Sequence, residues 1–557
     1  MNLFIHRLKA EFRNYNLSTL KMDILAGITV TAVAIPLALA FGIGCGATAQ
    51  SGLITAIIAG IVIGGLSGCS FQVSGPTGAM TVILLPIVAR YGLDGIFVAG
   101  FLAGVFILLA AILNFGKFIS IIPSPVITGF TSGIAIIIFT GQIGNFFGLE
   151  SRTSDGTLFT VFNYFTDPKS PLADGVIPNW YSVAIGAMTV LILVFFPKKW
   201  NRYLPPSLLA LVLSTAFCVV FNLPVKTIGE IPRSFFPETR LHFYSINWDI
   251  AKDLAVPAVS IAVLGMIESL LCGEVGGRMK GEKLHAKQEL FAQGIGNMII
   301  PFFGGVPATA AIARTSVAIK AGGQTRLASV FHSVGLLISM FALAPVMANI
   351  PMASLAGVLM VTAFRMNEWE TIRFIFSKRF KSAITKFLIT MIATVVFDLT
   401  IAILAGVVLS CFLFIHQISG STRVTIDKIH EKKLAEKYGI TVRKSLDFIR
   451  IVYLTGPIFF ATVHQINTRL ADVGDVKVLI LSMRGVPFID TTGIMEFNSL
   501  LKKLKAKNCR LMFSGLQKPV LIRLLRSGII DEIGSDMVFW SAEQAISYAQ
   551  DDSHQIS

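Results

Sequence analysis

Two short stretches rich in small residues interrupt segments that are otherwise apolar enough to cross a lipid bilayer. Residues 74–79 are Ser-Gly-Pro-Thr-Gly-Ala, and residues 304–311 are Gly-Gly-Val-Pro-Ala-Thr-Ala-Ala. Backbone that leaves the helical conformation at membrane depth is tolerated only where it is buried in protein or lines a cavity. Paired breaks in corresponding positions of two halves are the best sequence indication of a transporter's substrate site. The alternative is a pair of proline kinks in ordinary helices.

The low charge content predicts a membrane protein with a soluble part. Charged residues make up 14% of the 557 residues and hydrophobic residues 54%, whereas a soluble domain carries roughly 25% charged residues. Residues 98–113 and 183–196 carry no charge. The sequence after about residue 420 has the composition of a soluble domain. We therefore expect a transmembrane domain at residues 23–420 and a separate domain at residues 435–557.

The net charge of +15 at pH 7 is compatible with a nucleic-acid partner or with the membrane itself. The second interpretation is favoured because Lys and Arg accumulate in cytoplasmic loops of membrane proteins. We expect membrane lipid and no nucleic acid as partners. The six cysteines are scattered without the spacing of metal ligands, so neither a disulfide framework nor a metal or cofactor site is predicted.

Segments long enough to span about 30 Å predict roughly twelve clear helices and two short ones at the breaks. The predicted starts are residues 23, 49, 77, 95, 122, 180, 205, 254, 286, 309, 325, 349, 384 and 399. Basic loops at residues 198–202, 278–287 and 373–386 fall on the same side as the tail at residues 1–22. The positive-inside rule then places both termini in the cytoplasm of a multi-pass protein of the cell's plasma (inner) membrane.

The two breaks fall in the third and tenth segments, seven apart, which predicts two inverted repeats of seven segments. The third segment should become helical near Thr77 and the tenth near Thr309, with the two helix starts facing one another near the bilayer midplane. Each start carries unpaired N–H groups and about half a positive charge. Together they favour an anion.

Two charged side chains and a proline lie within apolar segments. Glu268 is near the middle of the eighth segment, where a carboxylate is costly and by default marks function. We expect a proton-coupling role for it, with a structural hydrogen bond as the alternative. Arg314 could add positive potential to the anion site, pair with Glu268 or extend toward the cytoplasm. Pro36 either opens the first helix or only kinks it.

The C-terminal region alternates short strands with helices, which predicts a small α/β domain. Strands are predicted at 449–454, 476–483 and 509–514, and helices at 494–505 and 519–526. The region contains no Walker sequence, metal cluster or nucleophile with a base, so an enzyme is not expected. Asp490-Thr491-Thr492-Gly493 lies between a strand and a helix, where a hydroxyl group caps the helix or is a regulatory phosphorylation site.

Several of these stretches together resemble the sulfate permease (SulP) family of anion transporters. They are residues 34–41, 74–79, 265–272 and 302–316, in this order, and the C-terminal region resembles the STAS domain that this family carries. The resemblance implies an α-helical membrane fold of about 14 segments, in which a core domain moves against a gate domain. It also implies a homodimer and a cytoplasmic STAS domain with a cytoplasmic protein partner.

The resemblance assigns roles to individual residues. The backbone amides of one set would face the anion, namely Thr77, Gly78, Ala79, Ala308, Thr309 and Ala310. Pro36 and Phe41 would form walls of the substrate site, and Arg314 is included among its residues. Glu268 would occupy the ion-coupling position, for H⁺ or alternatively Na⁺. Thr491 stands where the anti-sigma antagonists have a phosphorylated serine.

Members of this family carry sulfate, bicarbonate, chloride or dicarboxylates, and the motifs here are most similar to the proton-coupled dicarboxylate branch of bacterial members. The expected function is therefore secondary active transport of a small anion, with proton symport. The alternatives are a passive anion channel or exchanger, a nucleobase permease on the same fold, and a membrane-anchored regulator.

Overall fold

The structure is a computed structural model that describes residues 2–116, 123–149, 178–197, 205–242, 248–397, 399–428, 447–471 and 476–551. The chain divides into two compact units, Met1–Val407 and Val408–Ser557. The described part of the first unit is almost entirely helical. The described part of the second contains a five-stranded sheet with helices.

Long apolar runs account for the helices of the first unit, because a helix satisfies its own backbone groups away from water. Its first part contains α1 (Asn2–Glu11), α2 (Leu17–Gly44), α3 (Ala49–Leu66), α4 (Gly78–Ile112), α5 (Ser124–Gly141), α6 (Ile143–Phe147), α7 (Trp180–Phe195) and α8 (Pro206–Val220). Its second part contains α9 (Trp248–Lys280), α10 (Ala286–Ile299), α11 (Ile312–Lys320), α12 (Leu327–Ala342), α13 (Ala344–Ala348), α14 (Met352–Met366), α15 (Trp369–Ser377) and α16 (Lys381–Val396). The next helix, α17 (Leu399–Ser419), crosses into the second unit.

Five described stretches are long and apolar enough to cross a membrane. They are Leu17–Gly44, Ala49–Leu66, Gly78–Ile112, Ser124–Phe147 and Asp249–Lys280, and shorter apolar helices accompany them. α4 changes direction at Gly92, whose φ of 67° and ψ of −164° are not helical, and it therefore corresponds to the predicted segments at 77 and 95. The total of fourteen segments stays a prediction.

The N-terminal tail expected at residues 1–22 contains α1 and the first turns of α2, which begins at Leu17 rather than residue 23. The predicted helix start at 122, the basic loop at 198–202 and the domain start at 435 lie outside the described residues.

The two breaks pair with one another. Strand β1 (Ser74–Gly75) and strand β2 (Thr309–Ala310) form a two-residue antiparallel ladder, with Ser74 opposite Ala310 and Gly75 opposite Thr309. The chain therefore passes through the two breaks in opposite directions, as an inverted repeat requires. Both strands are buried, so pairing satisfies backbone groups that water cannot reach.

The second unit is built on one sheet in the order β3 (Arg423–Lys428), β4 (Ile449–Thr455), β5 (Val478–Gly485), β6 (Arg510–Ser514) and β7 (Val538–Phe539). β3 is antiparallel to β4, and the remaining neighbours are parallel. Its helices are α18 (Val463–Ala471), α19 (Thr491–Ala506), α20 (Lys518–Arg526), α21 (Ile529–Ile533) and α22 (Ala542–Asp551). The predicted elements between residues 449 and 526 are present, whereas the edge strand β3 was not predicted.

Candidate anion-binding site

The first break ends at a helix start that its own side chain does not cap. Thr77 is the N-cap residue of α4, with an extended backbone at φ −128° and ψ 158°, and its side chain makes no capping hydrogen bond. The amide groups of the first helical residues have no acceptor within a helix. The N-terminal end of α4, which includes Gly78 and Ala79, therefore presents unpaired donors and partial positive charge.

The Thr77 hydroxyl group is directed to a carboxyl group instead. It donates a hydrogen bond, 2.9 Å long, to Oε2 of Glu268. Glu268 lies near the middle of α9. The predicted ion-coupling residue is thus in direct contact with the predicted substrate-binding residue. This contact also explains why the hydroxyl group is not available to cap α4.

The second break becomes helical later than predicted. α11 begins at Ile312, with Ala311 as its N-cap residue, rather than near Thr309. The shift has a physical reason, since Thr309 and Ala310 form the strand that pairs with Ser74 and Gly75. Ala311 has no hydroxyl group with which to cap the helix, so the unpaired amides at this end belong to residues 312–314.

Two amides that were expected to face the anion are engaged in internal hydrogen bonds. The amide of Ala308 donates to Oδ1 of Asn297 at 2.7 Å, and the amide of Ala310 donates to the Ser269 hydroxyl group at 3.3 Å. The amides of Ala308 and Ala310 are therefore removed from the set expected to face the anion, because a backbone N–H group that already has an acceptor offers little to a ligand.

Side chains that were not predicted from the sequence hold the second break in place. The Asn297 carboxamide accepts from the Ala308 amide and donates to the Ala308 carbonyl group at 2.9 Å. The Thr55 hydroxyl group of α3 accepts from the Val306 amide at 2.8 Å. A carboxamide in a segment predicted to cross the membrane is the signal that could have found Asn297.

Arg314 is buried, with 1% of its surface exposed. Within the part of the chain that the structure describes, none of its three side-chain nitrogens has a hydrogen-bond partner. Pairing with Glu268 and extension to the aqueous surface are therefore both excluded here. A side-chain carbon at Gly75 would collide with Nη1 of Arg314, so the guanidinium group lies against Gly75 of β1, two residues before the N-cap residue of α4.

Phe41 is brought to the α4 end, whereas Pro36 lies earlier in α2. A Cβ at Gly78 would lie 3.0 Å from the Phe41 ring and 2.7 Å from the end of the Ile138 side chain, so a larger residue would require these side chains to shift. Pro36 is buried inside α2, about one and a half helical turns before Phe41. Its role in the site stays a prediction.

Comparisons with known proteins decide the family. Residues 20–393 match the sulfate permease family, and residues 440–545 match the STAS domain. The chain belongs to the sulfate permease family.

Relatives of this SulP chain are named as transporters. The Bacillus subtilis protein named "Putative sulfate transporter YvdB" is 36% identical, over 96% of this chain and 98% of its own length. The bicarbonate transporter BicA of Picosynechococcus is 28% identical, over 97% of this chain and 96% of its own. The structure of the murine Solute Carrier 26 family member A9 anion transporter covers 97% of this chain and 93% of its own, with a TM-score of 0.84 and 19% identity, and so supports the fold. The SulP chain is a multi-pass membrane protein and an anion transporter rather than an enzyme.

A second buried carboxylate in this SulP chain has a different environment from Glu268. Glu289 of α10 accepts hydrogen bonds from the Ser67 hydroxyl group, the Gly68 amide and the Gln293 carboxamide, at 2.6, 3.0 and 2.9 Å. These three donors fix the turn that leads into the first break. Because Glu289 is fully satisfied by the protein, Glu268, with Thr77 as its donor, is the better candidate for exchanging a proton.

In the STAS domain the helix cap is a carboxylate rather than the predicted hydroxyl group. Asp490 accepts from the amides of Gly493 and Phe460, at 2.8 and 3.1 Å. Thr491 is the first residue of α19 and is exposed. Its hydroxyl group is accessible from solvent, and phosphorylation at this position stays a prediction.

Proposed function

We propose that this SulP chain is a secondary active transporter that binds its anion between the N-terminal ends of α4 and α11 and couples its movement to protons through Glu268. The hydrogen bond between Thr77 and Glu268 carries this proposal. It leaves the end of α4 uncapped for an anion, and it places a titratable carboxyl group in contact with this helix end.

Electrostatics supports a link between proton and anion. The two helix ends each contribute roughly half a positive charge, and Arg314 adds a full charge that no described side chain neutralises. A charged Glu268 would oppose an incoming anion, because both would occupy the same positive region. Protonation of Glu268 removes that opposition, so a proton and an anion bind together more favourably than either does alone.

Sodium is the alternative coupling ion, and one group of oxygen atoms favours it. The Ser269 and Thr309 hydroxyl groups are 2.9 Å apart, and the Thr309 hydroxyl group is 3.3 Å from the Gly265 carbonyl oxygen. Ser269 follows Glu268 directly in α9. Oxygen ligands of this kind suit a hard cation.

The substrate is expected to be a small inorganic anion or a dicarboxylate. The names of the relatives favour sulfate or bicarbonate, whereas the motifs around Glu268 and Arg314 resemble the dicarboxylate branch. Helix ends and a guanidinium group recognise negative charge in each of these ligands. The size and shape of the pocket walls must therefore determine which of these anions is transported.

Four further features of this proposal come from the family. They are movement of a core domain against a gate domain, assembly as a homodimer, cytoplasmic termini, and a cytoplasmic protein partner for the STAS domain. The antiparallel pairing of β1 and β2 supports the first, because it joins the two halves of the site into one body.

Transport by purified protein in proteoliposomes tests the proposal. Labelled sulfate, bicarbonate and succinate are offered under an imposed proton gradient, under an imposed sodium gradient and without a gradient. Accumulation of one anion above its equilibrium level under the proton gradient alone is the expected result. Movement of the anion down its own gradient, without accumulation, would instead favour a channel or exchanger. Uptake of labelled uracil in place of anions would favour a nucleobase permease.

A further inference from the structure

The short helix α15 and the first residue of α16 form an exposed surface between the apolar helix α14 and the rest of α16. α15 has nine residues and connects the end of α14 to Lys381, where α16 begins. Ile375 is 4% exposed and holds α15 against the protein. Most of the other side chains from Glu368 to Lys381 are exposed.

Positive charge dominates this surface. Its exposed basic side chains are Arg373, Lys378, Arg379 and Lys381. Of the two acidic residues nearby, Glu368 accepts a hydrogen bond from the buried Thr128 hydroxyl group of α5 at 2.8 Å, and Glu370 lies in the first turn of α15. The four basic side chains therefore outnumber the two acidic side chains nearby.

Large aromatic side chains lie among the basic ones. The exposed aromatic residues are Trp369, Phe374, Phe376 and Phe380. Phe374 is 55% exposed and Phe380 50%, with their ring centres 5.7 Å apart. Aromatic rings next to Lys and Arg are typical of segments that lie in the interface between water and hydrocarbon.

The exposed face of α16 shows where the hydrocarbon begins. Leu388, Ile389, Ile392 and Val396 are all exposed large apolar side chains on this helix, as expected for a face that contacts acyl chains. Lys381 lies seven residues before Leu388, which corresponds to about 10 Å along a helix. The basic side chains are therefore at the depth of the lipid headgroups.

We propose that this interfacial basic surface, formed by Arg373, Lys378, Arg379 and Lys381 with the four exposed aromatic residues, binds the headgroups of anionic phospholipids. Clustered Lys and Arg side chains next to a membrane-spanning helix attract anionic lipids. The aromatic side chains insert at the headgroup level and hold the basic ones there. The inference is independent of the transported anion and of its coupling ion.

A second copy of the chain is a poorer occupant of this surface. A two-fold interface places the same patch of both subunits in contact. Four basic side chains on each subunit would then meet like charges, which is unfavourable. An anionic lipid supplies the opposite charge that the surface lacks.

Lipid retention by the full-length protein tests the proposal. The protein is purified from nanodiscs that contain phosphatidylglycerol and phosphatidylcholine in equal amounts, and the retained lipids are counted by native mass spectrometry. The triple variant R373Q/K378Q/K381Q should lose the preference for phosphatidylglycerol by about tenfold, since each basic side chain near the surface contributes measurably to binding anionic lipid. The triple variant K502Q/K503Q/R526Q removes the same charge from exposed positions of the STAS domain and should retain the preference.

Equal preference in the wild type and the first triple variant would overturn the proposal, as would an equal loss in the STAS control. Light scattering of the same samples measures the oligomeric state and so tests whether a second copy of the chain binds at this surface. A change in oligomeric state with unchanged lipid preference would make the surface a subunit interface. If the triple variant does not fold, K381Q alone and a salt titration of the wild type replace it. A preference for phosphatidylglycerol that is unchanged in both experiments would contradict an electrostatic headgroup site.

Discussion

The hydroxyl group of Thr77 donates its hydrogen bond to Glu268 at 2.9 Å, and not to the helix that Thr77 begins. The residue that ends the first break is thus joined to a carboxyl group in the middle of α9. Protonation of Glu268 and occupation of the α4 end by an anion are therefore expected to influence one another. Separate substitutions at the two ends of this hydrogen bond distinguish the two effects.

Replacement of Glu268 by Gln should abolish proton-driven accumulation while leaving anion exchange, because the amide can accept the Thr77 hydrogen bond but cannot change its charge. Uptake into proteoliposomes with and without a pH gradient measures both activities. Glu274 is the matched control, since it lies on the same helix but is exposed and paired with Arg278 at 3.9 Å. Undiminished accumulation by E268Q would remove the coupling role of Glu268.

Thr77→Val should reduce proton-driven uptake about tenfold. It leaves the buried Glu268 carboxyl group without its hydrogen-bond donor, and the loss of such a partner costs roughly 1–3 kcal/mol. Thr77→Ser retains the hydroxyl group and should restore uptake. Thr81→Val is the control, as the Thr81 hydroxyl group donates a hydrogen bond to the Gly78 carbonyl group of its own helix. The same loss in T77V and T81V would show that the effect is one of packing alone.

Arg314→Gln should have opposite effects on stability and on binding. Removal of a buried charge without a described partner should raise the melting temperature of the ligand-free protein, since such charges cost stability. The stabilisation that the transported anion adds should fall, because a ligand stabilises only in proportion to its binding. Thermal unfolding with and without sulfate, bicarbonate and succinate measures both.

The control for Arg314 is Lys320→Gln, which neutralises an exposed charge at the end of the same helix. A variant R314Q that is less stable without ligand yet is stabilised by the anion as strongly as the wild type would contradict an electrostatic role in the site.

Asn297→Leu should destabilise the protein by about 3 kcal/mol, because it leaves both backbone groups of Ala308 without their partner and each such group costs roughly 1–3 kcal/mol. It should also weaken anion binding, since Ala308 immediately precedes β2. Denaturant unfolding and anion-dependent thermal shifts provide the measurements. Asn349→Leu, at an exposed position whose carboxamide bonds to the nearby Pro345 carbonyl group, should have little effect on either.

Deletion of the residues after about 435 should alter transport rate, assembly or regulation and leave the choice of substrate unchanged, because the helix starts and Glu268 all lie in the first unit. Competition of unlabelled anions against labelled substrate measures selectivity in the truncated and full-length proteins. A change of preferred substrate upon truncation would show that the site assignment is incomplete.

Local sequence signals predicted where the first break ends and α4 begins. The small residues and Pro76 marked the first break, and the helix start next to Thr77 follows from the residues that come directly after it. The depth of Glu268 in an apolar segment was sufficient to single it out. Its contact with Thr77, 191 residues away in the sequence, follows only from the packing of α9 against α4.

The second half of the site depended on interactions between distant residues. Thr309 would be a reasonable helix start on its own, but pairing with Gly75 makes it part of a strand. The partners of the Ala308 and Ala310 amides come from α10 and α9, and nothing in residues 304–311 specifies them. The edge strand β3 was missed for the same reason, because its pairing with β4 joins residues separated by more than twenty positions.

The ladder of two residues between β1 and β2 has a mechanical consequence. Its hydrogen bonds lie where no water is available to replace them, so a motion that drew the two helix starts apart would be costly. We therefore expect both starts to move together as one rigid piece. A substrate would then be held by the same pair of helix ends whichever side of the bilayer it entered from, and discrimination by charge would not depend on the direction of transport.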